Sequence, residues 1–157
     1  GRALRLDLGV SNTDAAPRAF EAALHSYLAV SDVRQVRIGG LEGVAYVDKT
    51  AGMALKPGAS EPITIAAETD RVYLGATGTV TIEDPGWSRR VVVGKSGSST
   101  TVVWNPWVAK AKAMADFGDE EWPGMVCVET ANAMDDAVTL APGATHVMTA
   151  TLEVQAG

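Results

Sequence analysis

The sequence predicts an all-β fold, an antiparallel β-sandwich with one short helix, built as a single unit over residues 1–157. Three observations carry this: many short runs of strand-like residues, turn chemistry between them, and a single stretch with helical composition. Taken in order, residues 4–10 (LRLDLGV) alternate apolar and polar side chains, the period of a strand with one buried face. Residues 20–30 form a longer apolar run, and 33–38 alternate again around Arg and Gln. Further strands are expected at 44–48, 53–55, 63–66, 72–74, 79–83, 89–93, 100–104, 125–129, 137–140 and 145–154. Turn residues punctuate them: Asn12-Thr13-Asp14, Gly39-Gly40, Lys56-Pro57-Gly58, Asp84-Pro85-Gly86, Ser96-Gly97-Ser98 and Ala141-Pro142-Gly143. The exception is 106–114, PWVAKAKAM, with Pro at its start and lysines toward its end, which reads as one short helix.

Composition narrows the function. Apolar residues make up 46 % of the chain, enough for a packed core. The net charge of −6, from 19 acids against 13 bases, repels a phosphate backbone and argues against a nucleic-acid partner. A small anion is a different matter, because a few local arginines hold a phosphate inside an acidic protein. The one cysteine, Cys127, rules out an intrachain disulfide and a Cys-based metal site, and it suits a reducing cytoplasm. No apolar run reaches membrane-spanning length, so no membrane partner is expected. Gly1 stands where an initiator Met would and runs straight into a strand-like segment. The expectation is a chain truncated at its N-terminus, a processed mature protein being the alternative. A partial sandwich exposes strand edges, which self-association would cover.

Few residues could carry chemistry. His25, if 20–30 is one strand, shares a face with Ala23, Tyr27 and Ala29. That arrangement suits a ligand-facing ring, or a half-buried histidine bonded to a backbone carbonyl. His146, in the last strand, has no such company and reads as structural. Glu129 ends the apolar run MVCVE, either solvated or held at the mouth of a site. Glu68, Asp70 and Arg71 sit just ahead of an expected strand, where acids cap turn N–H groups. Trp104, Asn105 and Trp107 in WNPW place indoles beside an amide, which suits a sugar face or a plain core anchor. Phosphate-loop, dinucleotide and nucleophile-elbow patterns are missing, and the two histidines have no zinc spacing.

In order along the chain, FEAALHSYLAVSDV, GLEGVAYVD, ETDRVYL, WNPW, MVCVETAN and LAPGATH resemble the C-terminal half of hexose-6-phosphate mutarotases, the glucose-6-phosphate 1-epimerase-like branch of the aldose 1-epimerase (galactose mutarotase-like) superfamily. The resemblance implies the C-terminal part of a large antiparallel supersandwich with a sugar cleft. It implies that His25 is the catalytic acid and Glu129 the catalytic base, and that Asp70 binds sugar hydroxyls. Asn105 and Trp107 are expected as substrate-binding wall residues. No metal and no cofactor are implied. The substrate would be a hexose or hexose 6-phosphate, whose anomers interconvert by ring opening, rotation about C1–C2 and closure. The arginines that grip the phosphate belong to the absent N-terminal half, so this chain alone is expected to be inactive, pairing with that half or with itself. The alternative is a non-catalytic carbohydrate-binding sandwich that has kept the scaffold; convergence of His25, Asp70 and Glu129 on one face separates the two.

Overall fold

The structure, a computed structural model, describes residues 3–157, so the expectation about Gly1 lies outside the described residues. Fourteen strands are present among them. They are β1 (Ala3–Ser11), β2 (Arg18–Phe20), β3 (Ala22–Leu24), β4 (Tyr27–Ala29), β5 (Arg37–Gly39), β6 (Tyr46–Asp48) and β7 (Ala54–Lys56). The second half contributes β8 (Thr69–Tyr73), β9 (Val80–Asp84), β10 (Arg89–Ser96), β11 (Thr100–Asn105), β12 (Met125–Asn132), β13 (Val138–Leu140) and β14 (Thr145–Ala156). The one α-helix, α1 (Trp107–Ala113), falls where the lysine-ended stretch predicts it; Lys110 and Lys112 in its last turn complement the helix dipole.

Two antiparallel sheets form the sandwich. One has the order β1-β14-β10-β9-β5; the other runs β3-β12-β11-β8-β6-β7, with β4 also pairing β12, and β13-β2 forms a small separate ribbon. Between the two main sheets lies a core that includes Ile38, Val80, Ile82, Val91 and Val93 from the first and Tyr73, Val103, Val126 and Val128 from the second. Burying these branched side chains is what holds the layers together.

Turn residues act where the sequence places them. Gly97 turns β10 into β11 at φ +66°, and a Cβ there would stand 2.1 Å from the Val147 carbonyl oxygen, so no other residue fits. Three sequence expectations change. The alternating run 33–38 is mostly a turn, closed by the Gln35 N–H donating to the Asp32 carbonyl at 2.9 Å, and strand begins only at Arg37. Residues 63–66 make only an isolated bridge, Ile38 to Ile63, because Ile63 and Ile65 are drawn into the core instead of a ladder. Residues 20–30 break into separate strands, with consequences for His25 described below.

The seven-stranded sheet is apolar on both sides. Every residue of β11 and β12 is buried, and Val47, Val72, Val102, Trp104, Met125, Cys127 and Ala131 cluster apart from the main core. Strands covered on both faces read as continuous apolar runs, as MVCVE does. One groove of about 360 Å³ is lined by both β1 and β4, through Leu4, Tyr27 and Ala29 together with Leu152 and Val154 of β14. Leu4 and Tyr27 are 54 % and 50 % exposed there, and β1 is the terminal strand of its sheet.

Candidate active site

Side chains alternate along a strand, and cross-strand partners share a face. Strand register therefore lays two rows across the outer face of the seven-stranded sheet. One runs Asp70, Trp104, Cys127, Tyr27. The next runs Val72, Val102, Glu129. β3 and β4 keep one register on β12, with Leu24 opposite Thr130 and Tyr27 opposite Cys127, so His25 in the gap comes level with Glu129.

The gap itself corrects the single-strand expectation for 20–30. The Ser26 N–H and hydroxyl both donate to the Leu24 carbonyl, at 2.8 and 3.2 Å, a local bond that competes with the ladder. His25 still shares a face with Tyr27, as alternation along 20–30 predicts, and stacks on it, with ring centroids 4.9 Å apart and planes at 13°. Trp104 meets the same imidazole edge-on at 5.8 Å. His25 Nδ1 lies 3.2 Å from Glu129 Oε1, so its partner is a carboxylate and not a backbone carbonyl.

Burial controls the electrostatics. Burial pushes the Glu129 carboxyl up to about 7; the Lys49 ammonium pulls it down and the Asp70 carboxylate pushes it up. The same burial raises the Tyr27 hydroxyl and drives the Cys127 thiol far above its usual range. A His25 ring nitrogen, Cys127 Sγ and a Glu129 oxygen lie within 4.8 Å of one another, a grouping that counting cysteines does not reveal.

Asp70 stands on β8, a strand that begins at Thr69, and not in a turn ahead of one. Alternation sends Asp70 to the site and Arg71 to the other face, where its guanidinium lies 5.0 Å from the Tyr46 ring centroid. Opposite Asp70 is Lys49, which the sequence reading missed. β6 pairs β8 with Asp48 against Arg71, so the next residue comes level with Asp70. Lys49 Nζ lies 3.5 Å from Asp70 Oδ1. Asp48 fixes the short helical turn that follows by accepting the Thr50 N–H at 3.0 Å and hydroxyl at 2.6 Å, and it pairs with Lys56 at 2.6 Å.

These side chains enclose a cavity of about 630 Å³, lined by His25, Lys49, Asp70, Trp104 and Glu129, with Lys110 and Glu21 also on its wall. That is room for a monosaccharide. Asn105 and Trp107 do not line it, contrary to the sequence expectation. Because residues of β11 alternate, Trp104 faces the cavity and Asn105 faces away, fully buried. Its amide donates to the Trp122 and Met125 carbonyls at 2.8 and 2.9 Å and its oxygen accepts the Trp107 N–H at 2.9 Å. Trp107 packs on Trp122 at 4.3 Å between centroids. Both residues hold the start of α1. His146 is remote from the cavity too, its Nε2 2.8 Å from the Gly97 carbonyl oxygen and 3.1 Å from Asn132 Oδ1.

Against known proteins, a family model described as "Aldose 1-epimerase" matches residues 1–153. The chain is 42 % identical over 133 residues to a protein of Cenchrus ciliaris named "Putative glucose-6-phosphate 1-epimerase", covering 85 % of this chain and 40 % of that one. An Escherichia coli K12 protein of the same name is 34 % identical, over 73 % of this chain and 38 % of its own length. Among solved structures, "a putative mutarotase (YeaD)" from Salmonella typhimurium superposes with a TM-score of 0.91 at 27 % identity, over 100 % of this chain and 51 % of that one. A "galactose mutarotase-like protein" from Lactobacillus casei shares the fold, with a TM-score of 0.73 at 11 % identity over 96 % of this chain and 58 % of its own. The chain thus spans about two fifths of the length of these two curated relatives.

Proposed function

The chain belongs to the aldose 1-epimerase family, and from that premise we propose that it supplies the acid and the base of a hexose-6-phosphate 1-epimerase. The observation that carries this reading is one contact, His25 Nδ1 at 3.2 Å from Glu129 Oε1 in a cavity of monosaccharide size. Glu129 as carboxylate removes the proton of the anomeric hydroxyl, the C1–O5 bond breaks, and His25 delivers its proton to O5. The open-chain aldehyde rotates about C1–C2. On closure O5 attacks the other face of C1, His25 takes the O5 proton back and Glu129 returns its proton to O1. Nothing is consumed, and every proton moves through these two side chains.

Asp70 is assigned to sugar hydroxyls, and the Trp104 ring to the C–H face of the pyranose, an apolar surface beside polar groups. The 6-phosphate follows the names of the two relatives. Its grip is assigned to the remainder of a longer protein, because the candidate arginines are engaged elsewhere. Arg71 lies over Tyr46, Arg89 bonds Asp84 and the Ala29 carbonyl, and Arg90 bonds Gln155. The groove between β1 and β4 is assigned to docking of that remainder, or to self-association of the chain alone. The buried, unpaired Cys127 thiol suits a reducing compartment such as the cytoplasm; no helix of the described residues is long and apolar enough to cross a membrane.

The test is exchange spectroscopy by NMR on the α and β anomers of glucose 6-phosphate and of glucose, with the whole protein and with this chain alone. The reading expects accelerated exchange of the phosphate ester by the whole protein and a rate near that of buffer for the chain alone. Sugar binding to the whole protein with no acceleration of either exchange contradicts it.

A further inference from the structure

Asp70 and Glu129 open into the same cavity, and the Asp70 charge opposes ionisation of Glu129. The groups that face Glu129 come from four elements. His25 and Tyr27 lie in the 25–29 segment, Cys127 on its own strand, Asp70 on β8 and Lys49 on the turn after β6, with Glu21 and Lys110 also on the cavity wall. Both lysines are exposed, but β6–β8 register sets Lys49 level with Asp70, and the Asp48 cap fixes the turn it begins.

From this placement, and resting on the reading of Glu129 as the base, we infer that Lys49 is a positioning residue: its ammonium anchors Asp70 toward the substrate hydroxyls and offsets the Asp70 charge as felt by Glu129, so that both carboxylates serve in one cavity. The ion pair at 3.5 Å is the geometric basis. The opposite signs with which Lys49 and Asp70 act on the Glu129 carboxyl support it. The Lys49 side chain is 43 % exposed, so solvent screens part of its field and the effect is moderate.

The direct experiment needs no activity: carboxyl-carbon NMR titration of Glu129 in this chain, as wild type, Lys49→Met and Lys49→Arg. Lys49→Met raises the Glu129 midpoint by roughly half a unit or more, while Lys49→Arg leaves it near wild type. An unmoved midpoint in Lys49→Met overturns the inference. In the whole protein, the same variant lowers kcat/KM for anomer exchange more at about pH 6 than at about pH 9, the additional loss at the lower pH being roughly threefold. A deficit equal at every pH, with Lys49→Arg no better than Lys49→Met, overturns it as well. If the wild-type whole protein binds sugar but catalyses no exchange, the proposed function falls, and the titration still decides the role of Lys49.

Discussion

His25 and Glu129 touch at 3.2 Å, yet only one of them meets solvent: the imidazole is 51 % exposed and the carboxylate 6 %. The imidazole stands at the open side of the cavity and the carboxylate lies beneath it, walled by strand neighbours that cannot hydrate a charge. That asymmetry has a thermodynamic consequence.

Glu129 should destabilise the fold in its ionised form. Its carboxyl is raised from 4.5 to about 7, so the folded chain holds the proton more tightly than the unfolded one. Stability from this group is complete below the unfolded value and is lost as pH rises through about 7. Glu129→Gln removes the loss, stabilising the chain by up to about 3 kcal/mol at about pH 8 and by little at about pH 4. Urea unfolding at the two pH values checks this; an equal gain at both contradicts it.

Asn105 works through the fold. Replacing it with Ala leaves the carbonyls of Trp122 and Met125 and the Trp107 N–H without their buried partner. The expected cost is about 3 kcal/mol of stability, read by denaturant titration, with sugar affinity per folded molecule unchanged in the whole protein. Affinity that falls while stability holds would return Asn105 to the site.

Trp104 is the converse. Trp104→Ala removes a cavity wall, and KM for the sugar phosphate in the whole protein should rise roughly tenfold. Steady-state kinetics at several pH values measures it. Unchanged KM would mean that the indole is no sugar platform.

The groove between β1 and β4 predicts association. The chain alone should self-associate with rising concentration, and Leu4→Glu with Val154→Glu should shift it toward monomer by charging the groove. Sedimentation velocity distinguishes this from a wild-type chain that stays monomeric throughout.

Much of this was legible in the residues. Alternation marked β1, strand-like runs marked β10 and β14, and the turn triplets marked their ends, because composition, period and turn chemistry are local properties. His25, Asp70 and Glu129 were reached by resemblance, and the structure brings all three to one cavity. What failed was non-local or depended on one step of alternation. In WNPW the sequence offers two indoles and an amide; only the facing of β11 sends Trp104 to the site and Asn105 away from it. The run 20–30 has no internal turn residue strong enough to announce the Ser26 break. Lys49 was invisible because its neighbour Asp70 is set by β6–β8 pairing, which no window of sequence contains.

The central claim, that His25 and Glu129 act as acid and base, is tested most directly by the anomer-exchange rate of glucose 6-phosphate in the whole protein carrying Glu129→Gln. The variant should bind the sugar, keep its fold and lose roughly a hundredfold or more in rate. A folded variant that exchanges anomers at close to the wild-type rate contradicts the account.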